Sequence, residues 1–252
     1  MQKERIKRFK GILRRLSIGA KEEKLRAYGL PAEVISFTFG DPFALLIGVL
    51  ADYQIQARRA WALPFHLRER LGELSPEKLA EMSVDEIEAK IRNPKSLHRF
   101  PRQMAMNIQQ AARRVSKEYG GKAENIWATG SLVEFKRRLV LFRGMGKTKK
   151  VPMMIKMLIR DHGVFVDNPA GVHLAYDEQL RRVLLRTGLM RDDSVLEMER
   201  VGQLLNPEYP AAFDDALWLI GENFCHTRKP DCAHCPLTKT CAKKNIRETA
   251  EL

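Results

Sequence analysis

All four cysteines of the 252-residue chain fall in one window near its end, spaced Cys225-x6-Cys232-x2-Cys235-x5-Cys241. Thiolates brought together by loops this short can hold a tetrahedral metal ion or a four-iron cluster, because both favour sulfur. A structural zinc and an iron-sulfur cluster both answer to this pattern. Unliganded buried cysteines answer to it poorly, since no cysteine lies outside the window. With four sulfurs available, His226 and His234 read as exposed loop residues rather than ligands. Disulfides are a poor default: the opening MQKERIKRFKGILRR lacks the apolar core and cleavage site of a signal peptide. A cytoplasmic protein, with reduced thiols, is the expectation.

A second chemical feature is the segment LVLFRGMGKTKK, in which Gly144 and Gly146 stand between two helical patterns. Glycines there let the backbone turn tightly and expose consecutive N–H groups at the start of the next helix, where the dipole also favours an anion. That is a phosphate cradle, although an ordinary turn between helices would read the same way. Charge favours the cradle, because seven Lys or Arg residues and no acid occur between Lys136 and Lys150. The whole chain carries 44 Lys and Arg against 31 Asp and Glu, a net +13 with pI near 9.7. Such a balance points to a polyanionic partner, whose phosphates release counterions when neutralised. The basic run from Lys3 to Arg15 is weaker support, since a solvated helix face looks alike.

Helices must position these groups. Phe43, Leu46, Ile47 and Leu50 follow helical spacing behind Asp41-Pro42, a cap followed by a first-turn proline. Similar patterns cover about 101 to 118, 131 to 141, 178 to 187 and 211 to 222, and the one strand-like run is Val164 to Val166. An all-α fold is expected. Breaks fall at Gly120-Gly121, Gly144 to Gly146, Asp167 to Gly171 and Asn206 to Pro210. No internal repeat is evident, and no apolar stretch approaches the roughly 20 residues of a membrane span. An apolar share of 44% with 30% charged residues is that of a soluble globular protein.

The cysteine spacing, preceded by ALWLIGENFC and filled with HTRKPDC, resembles the iron-sulfur loop of the endonuclease III branch of the helix-hairpin-helix DNA glycosylases. The resemblance extends from about Asp41 to Cys241. It implies a [4Fe-4S] cluster on Cys225, Cys232, Cys235 and Cys241, with Arg228 and Lys229 presented to DNA. It implies a hairpin in which Arg143, Gly144, Gly146, Lys147 and Lys149 meet the DNA backbone. It implies a catalytic carboxylate at Asp177, which begins YDEQLRRVLLRTGL as the family's aspartate begins its helix. An N-cap aspartate occupies the same position without chemistry. Asp167 is a rival, because about ten extra residues precede Asp177.

Lysine-bearing relatives attack the sugar with an amine two positions after the second hairpin glycine, which is Thr148 here. Threonine forms no imine, so the resemblance implies a monofunctional enzyme that uses water. Lys147 and Lys149 flank that position, and on a helix they would point roughly 100 degrees to either side of it. Pro152, in a helix starting at the hairpin, would fall past the first turn and cost a hydrogen bond.

DPFALLIGVLADYQIQ resembles the family's apolar helix ending in a glutamine that fills the space of a flipped base, here Gln54. Asp52 and Tyr53 lie where pocket residues are expected, and Phe100, in LHRFPRQMAMNI, is the candidate second wedge. Val49 replaces the glutamate of adenine-removing relatives, whose extra C-terminal domain is also unmatched.

The expected architecture is a helical barrel over 41–173 and a cluster domain built from 1–40 and 174–252, with Asp177 in the cleft between them. The expected function is a monomeric base-excision glycosylase acting on double-stranded DNA that contains a damaged or mismatched base, with no membrane partner. Two further readings are a catalytically silent damage sensor of the same fold and a glycosylase with lyase activity through Lys147 or Lys149.

Overall fold

A computed structural model describes residues 2–244. Among the described residues thirteen α-helices follow one another: α1 (Gln2–Ser17), α2 (Ala20–Ala27), α3 (Ala32–Gly40), α4 (Pro42–Ala51), α5 (Ala57–Leu71), α6 (Pro76–Glu81), α7 (Val84–Arg92), α8 (Pro101–Glu118), α9 (Leu132–Leu139), α10 (Lys150–His162), α11 (Glu178–Thr187), α12 (Val195–Leu205) and α13 (Asp214–Asn223). Among the described residues no strand occurs, and Val164 to Val166 is irregular chain. The all-α expectation holds.

The local signals explain where several helices begin. The Asp41 side chain accepts from Ala44 N at 2.6 Å, and Pro42 occupies the first turn of α4. Every residue of α4 from Phe43 to Ala51 is buried, so this helix is apolar all round rather than on one stripe. Ser83 and Glu86 close a capping box at α7. Segment 211–222 is not uniform: a 3-10 turn, Pro210–Phe213, precedes α13.

The chain divides into two compact units, residues 25–167 and residues 1–24 with 168–252. These bounds differ from 41 and 173 for two reasons. Helix α3 packs against α4 and α5, which places it with the first unit. Val172 O accepts from Ala211 N at 3.0 Å and Ala170 O from Gln203 Nε2 at 2.8 Å, which ties 168–173 to the second.

In the first unit, α4 is the central element, packed against α3, α5, α8 and α10. Phe39 stacks on Trp61 with ring centroids 4.9 Å apart, and Trp61 is fully buried. Gly48 is required beside it, since a Cβ there would lie 2.8 Å from the indole. The second unit is cored by Phe9 and Leu13 of α1, Leu180 and Leu184 of α11, Val201 of α12 and Leu217 of α13. Each such side chain contributes about 1.5 to 3 kcal/mol by leaving water. Among the described residues, no single helix is long and apolar enough to cross a membrane.

Candidate nucleic-acid interface and active site

In the unit 25–167, a cavity of about 580 Å³ opens between the end of α4 and the glycine hairpin. Its lining includes Asp52, Tyr53, Gln54, Arg143, Gly144, Gly146, Thr148, Lys149 and Lys150. The fold therefore brings together two segments almost a hundred residues apart, and both were singled out in the sequence. Phe100 and Lys147 are not among the lining residues.

The hairpin is held from behind by α8. Gln110 accepts from Arg143 N at 3.1 Å and donates to Leu141 O at 3.3 Å. Gly144 has φ +84°, and a Cβ there would lie 2.5 Å from the Asn107 amide nitrogen, so this position needs glycine twice over. Helix α10 begins later than expected, at Lys150, with Lys149 as its N-cap. Lys147, Thr148 and Lys149 thus precede the helix, and the divergence of about 100 degrees around Thr148 does not apply. Pro152 then falls in the first turn, where its missing N–H would have had no helical partner, so it breaks no bond.

Two of the pocket's lysines are held by specific partners. Lys149 Nζ lies 3.1 Å from Asp52 Oδ2. Lys150 is buried, and its Nζ donates to Leu50 O at 2.8 Å and Gly144 O at 2.9 Å. Burial lowers its pKa to about 8, against the raising effect of Asp52, and Lys149 lowers it further. Sequence reasoning missed this residue. The available signal was position: Lys150 stands four residues before Met154 and eight before Leu158, both fully buried on the inner face of α10.

Gln54 takes a left-handed backbone, φ +50°, and its amide donates to the Tyr53 hydroxyl at 3.2 Å. Tyr53 is 49% exposed, and its ring lies 5.9 Å from that of Phe100. Phe100 is the N-cap of α8. Beneath these rings lies His98, fully buried, a second residue the sequence reading passed over. Burial lowers its pKa below the ordinary imidazole value, opposed by its backbone hydrogen bonds to Ala51 and Phe100 and assisted by the charges of Arg59 and Lys150.

In the unit 1–24 with 168–252, Asp177 is the N-cap of α11, and its Oδ1 accepts from Gln179 N at 2.8 Å. The helix ends at Gly188 in a left-handed cap, φ 72°. Its arginines hold the cysteine loop. Arg182 donates to the carbonyls of Cys225 and, at 3.1 Å, Gly221. Arg186 donates to His226 O at 2.6 Å, to Thr227 O at 3.1 Å and to Cys225 Sγ at 3.4 Å. One ten-residue helix therefore presents a carboxylate at its start and fastens the sulfur-bearing loop further along. Asp167 is placed otherwise: its Oδ1 accepts from Leu132 N at 2.9 Å and its own N–H donates to Gly130 O, which clamps the loop before α9.

Cys225, Cys232, Cys235 and Cys241 are all half-buried, and none of them forms a disulfide. Burial pushes Cys235 up to about 11, and the other three thiols add to that rise, so the four share one neighbourhood. Among the described residues, no three His, Cys, Asp or Glu side chains are arranged to hold a metal ion as they stand. Arg228 and Lys229 are exposed on the loop, as are Lys239, Lys243 and Lys244. His226 is exposed, and exposed His234 pairs with Asp231 at 2.8 Å.

Residues 47–207 match the family described as HhH-GPD superfamily base excision DNA repair protein. The chain is 28% identical over 214 residues to endonuclease III of Bacillus subtilis (strain 168), covering 82% of this chain and 84% of that one. Among solved structures it is similar to a trapped endonuclease III–DNA covalent intermediate, with a TM-score of 0.63, 21% identity, and 88% and 96% of the two chains covered. It is also similar to a thermostable thymine-DNA glycosylase, with a TM-score of 0.65, 15% identity, and 96% and 97% covered.

Proposed function

Because the chain belongs to the HhH-GPD superfamily of base excision DNA repair proteins, we propose that it is a monofunctional DNA glycosylase with Asp177 as its essential carboxylate. It acts as a monomer on double-stranded DNA in the cytoplasm and releases a damaged or mismatched base. As the bond from C1′ to the base nitrogen lengthens, its electron pair leaves with the base and positive charge grows on the sugar. A fixed carboxylate stabilises that charge and orients the water whose oxygen bonds to C1′; the proton it loses ends on the departing base. Asp167 is the weaker candidate: both carboxylates accept a backbone N–H, but Asp167 runs into a short 3-10 turn while Asp177 opens the helix that carries Arg182 and Arg186.

The observation that carries the monofunctional reading is the set of amines around the hairpin. Position 148 is threonine, Lys147 does not line the pocket, and Lys149 is paired with Asp52 at 3.1 Å. The hairpin N–H groups, with Arg143, Lys147 and Lys149, bind backbone phosphates. Gln54 and Phe100 enter the duplex, while Asp52 and Tyr53 border the everted base. One observation favours a second reading, a glycosylase that also nicks the strand: Lys150 lines the pocket, and burial lowers its pKa to about 8.

A [4Fe-4S] cluster fits the four cysteines by donor chemistry, because four thiols from one loop suit iron and sulfide. Bound there, it would supply positive charge that keeps the sulfurs as thiolates. Cys225, Cys232, Cys235 and Cys241 would hold it, while Arg182 and Arg186 orient the loop so that Arg228 and Lys229 face phosphate.

The test is a panel of duplexes carrying uracil, thymine mismatches, oxidised guanine or alkylated purines. Base release from at least one, with no species trapped by borohydride, is expected. Release with a trapped adduct that disappears in Lys150→Ala would establish the lyase reading. Tight binding with no abasic product from any duplex would leave only a silent damage sensor.

A further inference from the structure

We propose that His98 is a positioning residue that makes the loops bearing Gln54 and Phe100 a single mechanical unit. The inference rests on the reading of those two residues as the groups that enter DNA. His98 bridges the loops through its ring. Its Nε2 lies 3.1 Å from Ala51 O, and its Nδ1 lies 3.0 Å from Phe100 N. A backbone N–H can only donate, so Nδ1 must be the acceptor, and the ring hydrogen must sit on Nε2 and point at Ala51 O. The backbone therefore selects one tautomer of a neutral ring.

Each end of that bridge is itself fixed. Ala51 O, at the last residue of α4, also accepts from Tyr53 N at 2.7 Å, so the bridge grips the turn leading to Gln54. Phe100 caps α8, its carbonyl accepting from Met104 N at 3.0 Å, and it is followed by Pro101, which restricts its backbone. Ser96 Oγ donates to His98 O at 2.7 Å, and Arg59 donates to Ser96 O at 2.8 Å, which hold the histidine's own backbone. The outer path closes the circuit: Gln54 donates to the Tyr53 hydroxyl, and the Tyr53 ring rests against Phe100. Gln54 meanwhile occupies a left-handed conformation that a non-glycine residue keeps only when its surroundings hold it there.

Two side chains entering a duplex from separate loops would each lose conformational freedom on contact with DNA. Joined through His98, they are ordered together before contact, so the loss of one disturbs the other. A histidine that only filled space would stabilise the fold without linking their effects.

The test is a double-mutant cycle on the whole protein, using a duplex with a tetrahydrofuran abasic analogue opposite 2-aminopurine. Affinity is read by anisotropy, and side-chain entry by 2-aminopurine fluorescence. In the wild-type background, Gln54→Ala and Phe100→Ala are expected to be non-multiplicative, the pair losing about tenfold less affinity than the product of the singles. In His98→Gln, which keeps a donor near Ala51, and in His98→Asn, which keeps an acceptor near Phe100, that coupling should fall to within about twofold of unity. Single-variant losses with unchanged coupling in both His98 variants would overturn the bridge alone. No loss in either single variant would overturn the wedge assignment and the bridge with it. Nitrogen NMR of the unmutated protein supplies a check that needs no variant to fold: a ring protonated on Nδ1 contradicts the proposal.

Discussion

Lys150 donates its Nζ to the Leu50 carbonyl at 2.8 Å, joining the start of α10 to the end of α4. The same nitrogen reaches Gly144 O at 2.9 Å, so one buried amine fastens the hairpin to the core helix. Its pKa, lowered to about 8 by burial, makes stability depend on pH. Below that value the folded and unfolded chains are both protonated, and the cost of burying the charge is fully present. Above it the unfolded chain holds the extra proton until its ordinary range is reached, so stability rises with pH. Relative to Lys150→Met, the wild-type protein should gain up to about 3 kcal/mol between pH 8 and 10.5. Urea unfolding at several pH values measures this, and a difference that stays flat contradicts it.

Asp177→Asn should abolish base release while leaving DNA affinity within a factor of about two. The asparagine oxygen can still accept from Gln179 N, so stability should change by less than about 0.5 kcal/mol. Single-turnover assays beside binding isotherms decide this. Undiminished turnover would transfer the role, with Asp167 the next candidate.

Arg186→Ala removes the donors to His226 O, Thr227 O and Cys225 Sγ. The cysteine loop should loosen, and iron should be lost to a chelator faster than from the wild type, as followed by visible absorption and iron assay. Wild-type protein purified without air should contain iron and sulfide in equal amounts. Colourless, iron-free protein would remove the cluster.

Gly144→Ala should lower stability by about 1 to 3 kcal/mol, because alanine disfavours φ +84° and its methyl group meets Asn107. Affinity for undamaged duplex should fall with it. Gly146→Ala is the control for stability, since nothing lies within 4 Å of a Cβ there and its φ is not positive. Equal losses in both variants would show that the hairpin is not held in the way described.

Gly48→Ala should destabilise the core by about 1 to 3 kcal/mol, because the added methyl would lie 2.8 Å from the Trp61 ring. Thermal unfolding gives the magnitude, and a neutral result would mean that Trp61 repacks freely.

What the sequence determined by itself was local in character. The cap and proline at Asp41 and Pro42, the glycine hairpin, the aspartate opening α11 and the spacing of four cysteines are all short-range patterns, set by backbone geometry and donor chemistry. Even these were misjudged where a few residues of helix start mattered, since α10 starts at Lys150 rather than at the hairpin and so spares Pro152 its conflict. Tertiary structure decided which distant groups meet. Lys150 with Leu50, Asp52 with Lys149, and His98 with Ala51 are contacts made across the fold. The reason is physical: a lysine or histidine becomes a buried crosslink only when packing brings a backbone carbonyl within hydrogen-bond reach, and nothing in its own neighbourhood along the chain specifies that carbonyl.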